Sequence, residues 1–306
     1  MSDRRSKVST PPAFDSTEGG RGASRASPWS SAARTFAENR LGVVGVGIVL
    51  GLVLFSWIGP LVYHTNQVAT SLALEGLGPS PKHLLGTDDL GYDVLGRLMA
   101  GGQTSLEISL AAAVFATSVG VIWGAIAGYV GGLVDSVMMR IVDSFLAIPA
   151  LFLLLFLGSV ITPSVPLLIV VIGFIAWLVP ARLVRAETLT LRQRDYVQAV
   201  KVIGGSHARI ILRHIVPNAV GTIVVNATFQ VADAILILAY LSFLGLGIPP
   251  PTANWGEMLS AGVQYAFVGY WWLIWPAGIC VVLTVVSFNI IGDALRDALD
   301  VRLRRR

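Results

Sequence analysis

The chain has 306 residues, of which 54% are hydrophobic and only 13% charged, with a mean hydropathy of +0.72. So much apolar surface cannot be enclosed in a single soluble core, and a membrane is the first reading. A net charge of +4 could suit nucleic acid, but in a membrane protein cations matter by where they fall along the chain, and no nucleic-acid partner is expected. The single Cys280 lies in an apolar run, which excludes an intramolecular disulfide and a cysteine metal cluster.

Residues 1–40 are rich in Ser, Pro and Gly, hold seven Lys or Arg and show no apolar period, so they read as a disordered tail. This polar stretch is too long for the charged start of a cleaved signal peptide, and no removal is expected. Crossing a bilayer takes about 20 mostly apolar residues. Six stretches qualify: 41–63, 104–130, 144–162, 165–184, 220–247 and 270–292. Each must be a helix, because backbone N–H and C=O groups find no water in lipid and no β-barrel alternation is visible. The expected fold is an all-α membrane protein with six transmembrane helices. Residues 41–103 hold the first helix and an outer loop, 104–292 a five-helix core, and 293–306 a basic tail.

Six spans put both termini on one side. On that side fall 20 cations: seven before the first span, seven from Arg182 to Arg213, five after the last span, and Arg140. Only Lys82 and Arg97 fall on the other, so the positive-inside rule makes both termini and the 185–219 loop cytoplasmic. Trp57, Trp271, Trp272 and Trp275 lie toward the outer ends of their spans, where indoles favour the interface. Gly47 and Gly51, and Gly120, Gly124 and Gly128, recur every four residues and give small faces for close packing, within the chain or against a second subunit.

In the outer loop, Asp88, Asp89 and Asp93 do not have calcium-loop spacing and read as caps and turns. Thr87 or Asp88 is expected to cap a short helix ending near Gly101, with Val94, Leu95 and Leu98 on the membrane surface. The sequence has no phosphate loop, nucleophile elbow or paired-His metal motif, so neither enzymatic chemistry nor a cofactor of its own is expected. His207 and His214 are seven residues apart, about 10 Å of helix rise, too far for one metal. Asp233 is the one acid deep in a span, where an ionisable group is costly and often functional. It is a weak candidate for the substrate pathway, or else pairs with a polar group on a neighbouring helix.

The stretch 196–218 is a polar, basic island between apolar spans. Two short amphipathic helices are expected there, with Gly204 and Gly205 as the joint, Ser206 as N-cap and Pro217 ending the second helix. Tyr196, Val200 and Ile203 would share one face, and Ile211 and Ile215 another, with Arg209 and Arg213 pointing elsewhere. The design makes a compact projecting knob.

These residues resemble the Glu-Ala-Ala loop of ABC-importer permeases, and Arg213-His214-Ile215-Val216-Pro217-Asn218 resembles its dipeptide and oligopeptide branch. Stretches 85–95, 241–247 and 288–297 are similar to the second, C-type permease of that branch, in order and spacing. The resemblance implies a type I importer fold in a bacterial inner membrane. It also implies a homologous B-type permease subunit, two cytoplasmic ATP-binding subunits and an extracytoplasmic substrate-binding protein as partners. The elbow would be the coupling helix, with Tyr196, Gln198, Ala199, Val200, Lys201, Gly204, Gly205, Arg209, Arg213, His214, Pro217 and Asn218 engaging an ATPase. Gln198-Ala199-Val200 departs from the family's Glu-Ala-Ala, replacing an acid by an amide. The usual acid three residues before Leu241 is Leu238, whose role does not pass to Asp233 some 140° away in projection. Nickel or another small solute is the alternative cargo, and an ion-coupled secondary transporter using Asp233 the alternative class.

Overall fold

In the computed structural model, residues 28–304 are described, apart from Asn66 and Ile161. The segment 1–27 of the expected tail lies outside them. The described residues form twelve α-helices and no extended sheet. They are α1 (Pro28–Glu38), α2 (Arg40–Val62), α3 (Val94–Val130), α4 (Gly132–Leu146), α5 (Ala150–Val160), α6 (Val165–Ala176), α7 (Leu178–Leu191), α8 (Asp195–Val202), α9 (His207–Ile210), α10 (Val216–Leu241), α11 (Trp255–Val263) and α12 (Trp275–Arg304).

Four helical runs are long and apolar enough to cross a membrane singly: Arg40–Val62, Val94–Val130, Val220–Leu246 and Trp271–Leu299. Two more spans are possible only as bent pairs, α4 with α5 at 75° and α6 with α7 at 43°. The third and fourth expected spans are therefore broken rather than straight. Pro149 precedes α5, and Pro180 in the first turn of α7 has no N–H to continue a ladder from α6.

The bundle is organised on α3. At 37 residues it is about 55 Å long, well beyond the hydrocarbon thickness of about 30 Å. The expected short helix near Gly101 is the start of this same rod. Its N-cap is Asp93, whose Oδ1 accepts from Gly96 N at 2.9 Å, rather than Thr87 or Asp88. Val94 is buried against Trp272 and Leu273, and Leu98 in the bundle with Leu52 and Trp255, instead of lying on a membrane surface. α3 packs chiefly on α7, and also on α10, α6 and α2. The α7 seam needs the absence of side chains: a Cβ at Gly120 would lie 2.6 Å from Pro180 Cβ, and one at Gly128 would lie 2.8 Å from Arg185 O. This glycine face is packed within the chain. Gly47 and Gly51 of α2, in contrast, have nothing within 4 Å of an added Cβ.

Two other boundaries differ from expectation. Residues 28–38, placed in the tail, form α1 against α12, where Ala294 and Ala298 are buried. The segment 293–304, placed in the basic tail, continues α12 without a break. Much of the outward surface stays apolar: on α2 alone Leu41, Val44, Leu50 and Leu54 are exposed, as a lipid-facing helix requires.

Candidate functional site

The elbow forms where α7 ends. Arg192 closes that helix and sends its guanidinium to the carbonyl of Gly128, 2.9 Å away at the end of α3. After it, α8 runs for eight residues and stops in a Schellman arrangement. Gly205 N donates to Val200 O at 2.9 Å and Gly204 N to Lys201 O at 3.1 Å, with Gly204 at φ +82°. An L side chain at that φ is strained, although an added Cβ on Gly204 would meet nothing within 4 Å. On Gly205 it would lie 2.6 Å from Val200 Cγ1. Ser206 then caps α9 by accepting from Arg209 N at 3.4 Å.

Pro217 does not end the second helix. A π-turn, Ile211–Ile215, carries α9 directly into α10, and Val216 N donates to Ile211 O. The wider turn lets Pro217 enter at the first turn of α10, where its missing N–H costs least. Asn218 Nδ2 donates to His214 O at 2.6 Å beside it.

The inner face also differs from the expected grouping. Val197, with Val200 half-buried beside it, packs with Leu191, Ile210, Ile215 and Ala219. Tyr196 and Ile203, expected on the same face as Val200, point outward, and Ile203 is 83% exposed. Ala199, Lys201, Arg209, Arg213, Pro217 and Asn218 are likewise exposed. Gln198 Nε2 donates to Arg192 O at 2.7 Å, tying α8 to the end of α7. An ionised glutamate there would have no proton to give that carbonyl. His207 contributes an edge contact to Tyr129 of α3, with ring centroids 5.4 Å apart. Sequence reasoning missed Arg192, Tyr129 and Val197. The only hint for Arg192 was its position just before the break between α7 and α8.

The opposite end of α3 is held differently. Arg97, 2% exposed, donates to Glu257 Oε2 at 3.1 Å and to Pro251 O at 2.9 Å, and its guanidinium lies 4.7 Å from the Tyr92 ring centroid. Asp88 is 3.9 Å from Arg97 Nε. Burial raises the carboxyls of Asp88 and Glu257 above their usual range, and Arg97 opposes that rise in both. Asp93 accepts from Tyr63 Oη at 2.8 Å and meets His83 Nδ1 at 2.9 Å. Trp272, expected at a membrane interface, is buried here, with its indole N–H 3.3 Å from Thr87 O. The loop carboxylates thus act as caps, turns and ion-pair partners.

A third feature lies between the two ends. A cavity of about 450 Å³ opens where both bent pairs break, bounded by Pro149, Phe174, Val179, Gln230, Asp233 and Tyr240 among others. The polar neighbour expected for Asp233 is not there: among the described residues no side chain bonds to it, and it is exposed to this cavity. Gln230, one turn earlier, donates to Ala176 O at 3.0 Å and so occupies a carbonyl freed by the break between α6 and α7.

Comparison with known proteins agrees with this architecture. Residues 120–305 match the family model of the binding-protein-dependent transport system inner membrane component, and residues 27–79 match the N-terminal transmembrane domain of oligopeptide transport permease C. The chain is 40% identical over 278 residues to the oligopeptide transport system permease protein OppC of Bacillus subtilis, covering 90% of each chain. It is 39% identical to the dipeptide transport system permease protein DppC of the same organism, over 89% of this chain and 85% of that one. OppC of Haemophilus influenzae is 39% identical over 90% of this chain and 89% of its own. Coverage and identity of this extent show that the chain belongs to the binding-protein-dependent transport system inner membrane components, as a multi-pass ABC permease of the bacterial cell membrane.

Proposed function

We propose that this chain is one of two permease subunits of an ATP-driven peptide importer. Peptides as cargo follow from the relatives, which are oligopeptide and dipeptide permeases. A homologous B-type permease completes the pathway, a substrate-binding protein outside the membrane delivers the peptide, and two cytoplasmic ATP-binding subunits supply the work. This chain hydrolyses nothing and needs no cofactor of its own. The distribution of Lys and Arg supports a cytoplasmic elbow and cytoplasmic termini.

One observation carries the coupling role: the elbow is fixed on its inner face and exposes apolar side chains on its outer one. Val197 and Arg192 tie it to the bundle, while Val202 and Ile203, 85% and 83% exposed, stand out at the end of α8. Apolar side chains held out on a rigid polar knob fit a groove in a partner. Motion of that partner then moves the end of α3, and differential contact in two states is what interconversion requires. The test is Ile203→Asp in the transporter reconstituted in vesicles. The side chain is exposed, so insertion and assembly should persist while substrate-dependent ATP hydrolysis falls about tenfold. Hydrolysis at the unmodified rate would remove the elbow from the coupling path.

A further inference from the structure

The cavity at the two helix breaks has no part in the elbow's role, yet it contains a costly group. Inside an apolar stretch of α10, an ionised carboxylate without a partner is expensive to keep. Asp233 is such a group, and the walls around it are mainly aliphatic and aromatic: Pro149, Phe174, Ile175, Val179 and Ile237. The breaks after α4 and α6 keep these walls from closing on α10, and the hydrogen bond from Gln230 to Ala176 O fixes one of them. The resulting volume, about 450 Å³, falls in the range of about 300–1,000 Å³ typical of small-molecule sites.

We infer that this cavity is a substrate subsite in which the Asp233 carboxylate receives the free amino-terminal ammonium of a peptide, with the first side chain seated against the apolar walls. The inference rests on the peptide-permease reading and deepens it. A single carboxylate neutralised by one organic cation balances the charge of the site while cargo is present and leaves it open afterwards. A divalent metal would need several oxygen or nitrogen ligands, and among the described residues no group of three His, Cys, Asp or Glu side chains is placed to supply them. The peptide's own carboxylate is repelled by Asp233, so the amino end is the end that docks here.

The test uses the assembled transporter in detergent, with a diazirine-bearing dipeptide offered directly at high concentration and without the binding protein. Its N-acetylated twin serves as control, and crosslinks are mapped by mass spectrometry. The free-amine peptide should label the cavity about tenfold more than the acetylated one. In Asp233→Asn that preference should vanish, and Asp233→Glu should restore part of it. Equal labelling of the two peptides by the unmodified protein, a preference that survives in Asp233→Asn, or labelling that avoids the cavity would each overturn the subsite. Loss of assembly in Asp233→Asn would assign the carboxylate to contact with the companion permease instead and overturn it too. Uptake of peptide into vesicles by the complete unmodified system is read alongside. Its absence defeats the peptide-importer reading, whereas uptake without the labelling pattern defeats only the subsite.

Discussion

The two ends of α3 are secured by opposite means. At one end a buried guanidinium is enclosed by Glu257, Asp88, Tyr92 and a backbone carbonyl, so α3, the loop before it and α11 are joined through charges that have left water. At the other end the elbow is held by a small apolar cluster and by hydrogen bonds from side chains to backbone carbonyls, and its outer side chains are left uncovered. Buried charge makes a joint that tolerates no loosening, because removing one partner strands the other. The elbow's joint is cheaper to remake, which agrees with the coupling role proposed for it.

Three substitutions probe this difference. The largest effect is expected from Arg97→Ala, which leaves Glu257 and Asp88 near each other without their cation. It should cost about 3–5 kcal/mol, read as a lower midpoint in thermal unfolding of the purified protein. An unchanged midpoint would mean that the ion pairs contribute nothing net. Gly204→Leu comes next. With open space around the site and φ at +82°, only backbone strain opposes the side chain, about 1–2 kcal/mol. The unfolding midpoint should fall less than in Arg97→Ala, whereas coupled ATP hydrolysis should drop sharply as the tip of the knob shifts. Equal loss in both would merge the elbow with the rigid end. The smallest effect is expected from Gln198→Glu, which removes the donor to Arg192 O at a cost of about 1 kcal/mol. Faster hydrogen exchange confined to α8 would register it, and unchanged exchange would show that the amide adds nothing to the joint.

Much of this architecture was legible in the chain. Apolar length located the membrane-crossing stretches, since lipid demands it of any spanning helix. The Gly-Gly pair followed by Ser206 announced a helix end and a cap, because few other residues can adopt or stabilise those conformations. Hydropathy carries no record of direction, so the bends at residues 147–149 and at Trp177 did not show in it; Pro149 and Pro180 were the signals that could have marked them, and the cavity beside them. Arg97 seemed to place the start of the second span outside the membrane-crossing rod. Its charge is instead absorbed by Glu257, 160 positions later, a pairing no local pattern could reveal. Pro217 was read as a terminator because a proline usually stops an α-ladder, but here a π-turn precedes it and the chain runs on into α10. The inner face of α8 was misassigned by one residue: Tyr196 carries more apolar area than Val197, yet only Val197 points at Ile210 and Ile215.

The unbroken course of α3 has a mechanical consequence. A rod of about 55 Å that tilts by about 5° carries its far end through about 5 Å, the rise of nearly one helical turn. Fixed to the elbow through Gly128 and Tyr129 at one tip and to Glu257 through Arg97 at the other, it acts as a lever arm. A displacement applied at one tip would therefore appear at the other, and the glycine seam packs α7 directly against the rod.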